Sequence, residues 1–154
     1  MIGKIKIFRP DFFENLYFPA LDVKVKAGGY GTFESAALDF PEDTIDLTRL
    51  LIKDKETVFF AKVSGDSLSG IGIFDGNLLV IQKGMLPVEN DIIVVFLNDE
   101  YYVKKYKPSY KRNSSELNEI RLKSENPAYN DLYADENSEF FYWGLVTSNI
   151  NMFR

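Results

Sequence analysis

The stretch that decides the fold is Val58-Phe59-Phe60-Ala61-Lys62-Val63-Ser64-Gly65-Asp66-Ser67-Leu68. Its first half is rich in β-branched and aromatic residues, which predicts a strand over residues 58–63. Its second half is a glycine-containing turn. There the hydroxyl of Ser67 can stay exposed while backbone N–H groups point at one spot, as an oxyanion hole requires. Taken alone, the sequence favours the simpler alternative, a turn in which Asp66 bonds its own backbone.

Strands are also predicted for the rest of the chain, separated by polar loops and a tight turn at Asn98-Asp99-Glu100. Their expected ranges are 77–81, 91–97, 101–106, 120–123 and 140–146. Residues 45–52 are too few for periodicity to separate a short helix from a buried extended segment. The pattern predicts a mostly β fold, with residues 1–44 as an N-terminal arm and residues 45–154 as one domain.

Composition limits the chemistry that the chain can perform. Its 154 residues suffice for one domain with a real core, and the net charge of −5 does not suit a protein that coats nucleic acid. The sequence has no Cys and no His. This excludes disulfides, thiol nucleophiles, the Ser-His-Asp triad and zinc sites built on His or thiolate. The base of any hydrolase must then be a lysine, a carboxylate or the chain's own amine, and no metal or cofactor is expected.

Targeting signals are not evident in the sequence. Residues 1–10 alternate lysine with isoleucine and lack the apolar core of a signal peptide. No stretch approaches the ~18 apolar residues of a membrane helix. We therefore expect a cytoplasmic protein without a membrane partner.

Lys104 is the candidate base. It falls on a predicted strand beside Tyr102, Val103 and Tyr106. Such neighbours desolvate an ammonium group and lower its pKa, which makes a neutral amine available to accept the proton of Ser67. The alternative is that Lys104 and Lys105 alternate on an edge strand, with one of them simply solvated.

Together, these features resemble those of the self-cleaving serine peptidases of the LexA/UmuD type. The resemblance rests on Val63-Ser64-Gly65-Asp66-Ser67-Leu68, Gly72-Ile73, Asp75-Gly76-Asn77-Leu78-Leu79-Val80, Asn90-Asp91-Ile92-Ile93-Val94 and Tyr102-Val103-Lys104-Lys105. Lys104 follows Ser67 by 37 positions, as in the UmuD branch. Weaker similarity extends over most of residues 15–150, and a short arm in place of a DNA-binding domain favours UmuD over LexA.

The resemblance carries specific implications. It implies a LexA/signal-peptidase-like fold of several coiled, strongly bent sheets with a flexible N-terminal arm. It implies Ser67 as nucleophile and Lys104 as general base, cutting one bond in the arm when stimulated by RecA filaments on single-stranded DNA. The trimmed homodimer is then expected to join a UmuC-like translesion polymerase in SOS mutagenesis, without direct sequence-specific DNA binding.

Two bonds in the arm are candidates for the cleavage site. Counting forward from Phe18-Pro19 places it at Ala27-Gly28, and counting back from Asp39 and Ser67 places it at Gly31-Thr32. Small residues on both sides of the bond favour Ala27-Gly28, because they let the chain enter a tight cleft. A third possibility is a flexible glycine loop that is never cut.

Other functions remain open from sequence alone. The chain could be a LexA-like dimeric accessory or regulatory module that keeps the fold without cutting, or a peptidase acting on other chains, as the related signal peptidases do. Residues 104–112 hold five basic side chains and two tyrosines. This pattern fits either a contact with single-stranded nucleic acid or, more simply, a strand running into a solvated loop.

Overall fold

The computed structural model describes residues 4–8, 17–19 and 44–153. The chain divides into two compact units, one formed by residues 1–10 with 54–154 and the other by residues 11–53. The division into an arm of residues 1–44 and a domain of residues 45–154 stays a prediction. Within the described ranges, no helix is both long enough and apolar enough to cross a membrane.

The larger unit is built on one antiparallel sheet. It has eight strands: β1 Lys4–Phe8, β4 Val58–Ser64, β5 Leu78–Gln82, β6 Ile92–Leu97, β7 Glu100–Tyr110, β8 Leu117–Lys123, β9 Leu132–Ala134 and β10 Phe140–Ile150. Across the sheet they lie in the order β1-β4-β5-β10-β6-β7-β8-β9, and a short 3₁₀ helix, Ser69–Ile71, follows β4. The mostly β prediction is confirmed.

The smaller unit contains a strand pair and a short helix. The pair consists of β2 Tyr17–Pro19 and β3 Thr44–Asp46, and α1 spans Leu47–Leu51. Asp46 caps this helix by accepting a hydrogen bond from the Arg49 N–H at 3.0 Å. The helix has no buried residue. The segment is thus a capped helix and not a buried extended segment.

The hairpin of β6 and β7 carries Lys104 and has a tight turn. Leu97 pairs with Glu100, so Asn98 and Asp99 form a two-residue loop with φ angles of 47° and 70°. Positive φ at both central residues is the type I′ geometry, whose twist matches that of the flanking strands. Asn and Asp tolerate this conformation better than other side chains, and the predicted turn is confirmed.

Both faces of the central strands are covered. Along β6, Val94 belongs to one buried cluster, while Ile93 and Val95 belong to the other. Successive strand residues point to opposite faces, so two clusters fed alternately from one strand mean two packed faces. This explains why residues 92–95 read as an uninterrupted apolar run.

Gly144 marks the closest approach between β10 and β5. A Cβ atom at this position would lie 2.6 Å from Cγ2 of Ile81 and 3.2 Å from the carbonyl oxygen of Gln82. Gly144→Ala should therefore lower the free energy of unfolding by about 1–3 kcal/mol through overpacking. Urea denaturation measures this, with Glu139→Ala, an exposed side chain just before β10, as the control. Equal stability of the two variants would contradict the packing argument.

Candidate active site

Ser67 lies in the turn that follows β4, and the structure buries it. Only 4% of the residue is exposed, which corrects the expectation of an exposed hydroxyl. The turn is held from outside itself: the Gly65 N–H donates to Oδ1 of Asp75 at 2.7 Å, and the Asp66 N–H donates to the Tyr129 hydroxyl at 3.1 Å. The backbone just before Ser67 is therefore held in place by two side chains, one of them from a segment distant in sequence.

A pair of backbone hydrogen bonds joins this turn to the end of β8. The Glu125 N–H donates to the carbonyl oxygen of Ser67 at 2.8 Å, and the Gly70 N–H donates to the carbonyl oxygen of Glu125 at 2.8 Å. A Cβ atom on Gly70 would overlap that carbonyl group. Glycine is required there because the two backbones approach so closely.

Two amides beside the candidate nucleophile have no acceptor among the described residues. Gly65, Asp66, Ser69 and Gly70 all donate their N–H groups to named acceptors. Within the described residues, the N–H groups of Ser67 and its neighbour Leu68 donate to nothing. Unpaired amides next to a serine hydroxyl are the donors that an oxyanion hole uses.

Lys104 is buried in the middle of β7, opposite Ile93 of β6. Only 2% of the residue is exposed, and Tyr102 and Tyr106, two positions away on the same face, pack with the cluster that includes Ile93. Its Nζ atom donates to Oγ of Ser124 at 2.8 Å and lies 5.6 Å from the centre of the Tyr129 ring. The apolar surroundings predicted from the sequence are confirmed.

Burial lowers the pKa of Lys104 from 10.5 to about 8, and the negative charge of Asp131 opposes this shift without cancelling it. Desolvation penalises the ammonium form, so the amine loses its proton nearer to neutral pH. With a pKa of about 8, roughly one tenth of the side chain is neutral at pH 7. Lys104 can therefore act as a base near neutral pH, whereas an exposed lysine cannot.

Lys105 has different surroundings. Its Nζ atom pairs with Oε1 of Glu125 at 2.6 Å, and Lys123 contacts the same oxygen at 2.9 Å. These hydrogen bonds hold the pKa of Glu125 below its usual value. Lys105 is thus a partly exposed member of an ion-pair network, whereas its neighbour Lys104 is buried.

The structure connects the two predicted residues through one segment. The backbone carbonyl of Ser67 accepts a hydrogen bond from the Glu125 N–H, and the side-chain hydroxyl of the preceding residue, Ser124, accepts one from the Lys104 amine. Sequence reasoning missed the roles of Ser124 and Asp131. No local motif marks them, because their contacts reach across β7 and β8. The only hint was the position of Ser124 directly after the predicted strand of residues 120–123.

The structure does not describe the predicted cleavage bonds, but it does describe the basic stretch of residues 104–112. Ala27-Gly28 and Gly31-Thr32 both lie outside the described residues. In the basic stretch, Lys107 pairs with Glu89 at 3.2 Å and Lys111 with Glu116 at 2.5 Å. This pairing reduces the positive field available to a nucleic acid, so the simpler alternative of a strand running into a solvated loop is favoured.

Comparisons with known proteins agree on one family. A model of the Peptidase S24-like family matches residues 19–147. Protein SamA of Salmonella typhimurium is 32% identical over 122 residues, which are 79% of this chain and 79% of SamA. Protein ImpA of Escherichia coli is 33% identical over 73 residues, half of its length. The LexA repressor of Clostridium tetani is 32% identical over 90 residues, 42% of its length.

The buried amine gives a prediction for stability. Folding lowers the Lys104 pKa, so the unfolded chain binds more protons between about pH 8 and 10.5, and stability must rise with pH across that window. Below pH 8 the whole penalty remains, on the order of 3 kcal/mol. Lys104→Met should therefore be more stable than the wild type at pH 7, by about 1–3 kcal/mol. This advantage should shrink as the pH approaches 10.5.

Denaturant titrations at several pH values measure this difference. Lys105→Met is the matched control, since Lys105 sits in a partly exposed ion pair with Glu125. Its stability difference from the wild type should not shrink in the same window. Parallel curves for the wild type and Lys104→Met would show that the amine is not desolvated.

Proposed function

The chain belongs to the Peptidase S24-like family, and from this premise we propose that it is a serine peptidase that cuts its own N-terminal arm. Ser67 is the nucleophile and Lys104 is the general base. The observation that carries the proposal is the buried Lys104 amine, whose pKa is about 8 and which bonds the segment that also holds Ser67. The chain has no histidine, and among the described side chains Lys104 has a pKa that burial shifts toward neutrality.

The proposed reaction has two steps. The Ser67 hydroxyl gives its proton to neutral Lys104 while Oγ attacks the scissile carbonyl, and the amides of Ser67 and Leu68 stabilise the resulting oxyanion. The C–N bond then breaks, and the Lys104 ammonium returns the proton to the leaving amine. Water hydrolyses the ester, with Lys104 again as base. Each proton is returned, so the dyad needs no metal or cofactor.

The proposed substrate is the chain's own N-terminal arm. In this proposal the arm comprises residues 1–44 and the peptidase domain comprises residues 45–154. The cut is placed at Ala27-Gly28. Similarity to SamA over 79% of both chains supports a UmuD-like role. In that role the protein is a cytoplasmic homodimer stimulated by RecA filaments on single-stranded DNA. After trimming it associates with a UmuC-like polymerase in the SOS response.

Substitution of the dyad tests the chemistry. Ser67→Ala should abolish self-cleavage, and Lys104→Ala should slow it by about 10²–10⁴-fold because the proton acceptor is lost. Lys105→Ala is the matched control, since its ammonium faces Glu125. Electrophoresis and mass spectrometry after incubation at alkaline pH with RecA filaments measure the fragments. Equal loss in Lys104→Ala and Lys105→Ala, with both folded by circular dichroism, would contradict the dyad. A wild type that yields no fragment would favour a non-cutting accessory.

The cleavage position is tested by N-terminal sequencing of the larger fragment. A cut at Ala27-Gly28 leaves Gly28 as the new N-terminus, and Gly28→Trp should slow the reaction about 100-fold by displacing the scissile carbonyl. Tyr30→Trp is the control, because it places a tryptophan in the same segment at a position that is already aromatic. A fragment that begins at Thr32 would move the cut to Gly31-Thr32.

A further inference from the structure

The Ser124 hydroxyl forms hydrogen bonds with both the Lys104 amine and a backbone carbonyl group. Its Oγ accepts the Nζ–H of Lys104 at 2.8 Å and donates its own proton to the carbonyl oxygen of Asn130 at 3.1 Å. A hydroxyl has one proton to give. Because that proton goes to Asn130, the oxygen of Ser124 must present a lone pair to Lys104.

The position of Ser124 is fixed on both sides. Its own N–H donates to Oδ1 of Asp131 at 2.8 Å, and Oδ2 of Asp131 accepts from Nε of Arg121 at 2.6 Å. The next residue, Glu125, donates its N–H to the carbonyl oxygen of Ser67. Ser124 is only 6% exposed, so water does not compete freely for its hydroxyl. The acceptor for the amine is therefore held in a set position relative to the Ser67 turn.

This arrangement restricts a neutral amine. Neutral Nζ has two N–H bonds and one lone pair, and only the lone pair can take a proton. An N–H held by Ser124 limits rotation about the Cε–Nζ bond, which limits the directions in which the lone pair can point. We propose that Ser124 is a positioning residue that aims the Lys104 lone pair at the Ser67 hydroxyl. The inference rests on the proposed function and deepens it.

The charged groups around Lys104 define what Ser124 adds. Asp131 attracts the ammonium, but Arg121 pairs with Asp131, and Lys105 on the opposite face of β7 is paired with Glu125. Ile93 and the Tyr129 ring are the neutral neighbours. Among the described residues, the Ser124 oxygen is the hydrogen-bond partner of Nζ. Removing it should disfavour the ammonium further.

A matched pair of variants separates the hydroxyl from its volume. Ser124→Thr keeps the hydroxyl, whereas Ser124→Val has the same shape without it. Ser124→Ala removes the hydroxyl without adding volume and serves if the branched side chains do not fit. The self-cleavage rate is followed from pH 6 to 10. The plateau of the cleavage rate at high pH should be about 10- to 100-fold lower in Ser124→Val than in Ser124→Thr, and lower by a similar factor in Ser124→Ala than in the wild type. In both variants without the hydroxyl, the midpoint of the pH profile should lie at lower pH. Equal plateaus and midpoints would overturn the proposal.

A second measurement does not depend on cleavage. In a Ser67→Ala background the chain stays intact, and NMR titration of the Lys104 side chain gives its pKa directly. The pKa should be lower in the valine variant than in the threonine variant, and lower in the alanine variant than with Ser124 present. Unchanged values would show that Ser124 only fills space. If the wild type does not cut, the proposed function fails, while this titration still decides whether Ser124 controls the amine.

Discussion

The reciprocal backbone hydrogen bonds between the Ser67 turn and Glu125 are the constraint on which the site depends. They fix a loop that follows one strand against the end of a strand more than fifty residues later. The approach is possible because Gly70 has no side chain. Through Ser124, the same strand end also receives the amine of Lys104. The contact between the Ser67 turn and residues 124–125 thus positions the Ser67 hydroxyl relative to the Lys104 amine, although the two residues lie in different parts of the unit.

Burial gives the amine its chemistry and gives the fold a cost. A lysine on a surface strand stays protonated at pH 7, whereas Lys104 is flanked on its own face by aromatic side chains and faces Ile93. The sheet tolerates this group because its other interactions, the two covered faces among them, are numerous. Functional sites are often less stable than the scaffold around them for this reason.

Much of the fold could be predicted because the strands carry local signals. The β-branched and aromatic runs gave the six strands of residues 58–146, and Asn98-Asp99 gave the hairpin turn. Strand β1 was missed although its alternation of lysine and isoleucine has the two-residue period of a strand, and β9 was missed because three residues are too few to show a period. The candidate residues Ser67 and Lys104 came from local context and family resemblance. Ser124 and Asp131 could not be predicted, since their bonds to neighbouring strands depend on the folded register.

Strand β1 gives the fold an unusual dependence on an unbroken chain. Residues 4–8 pair with residues 60–64 of β4, so the connection between them closes a long loop. A single break anywhere in that connection turns β1 into a separate peptide, and its retention then follows mass action instead of a fixed effective concentration. At dilution the peptide departs and leaves the edge of β4 with a row of unpaired N–H and C=O groups. That edge could then pair with a strand from another molecule.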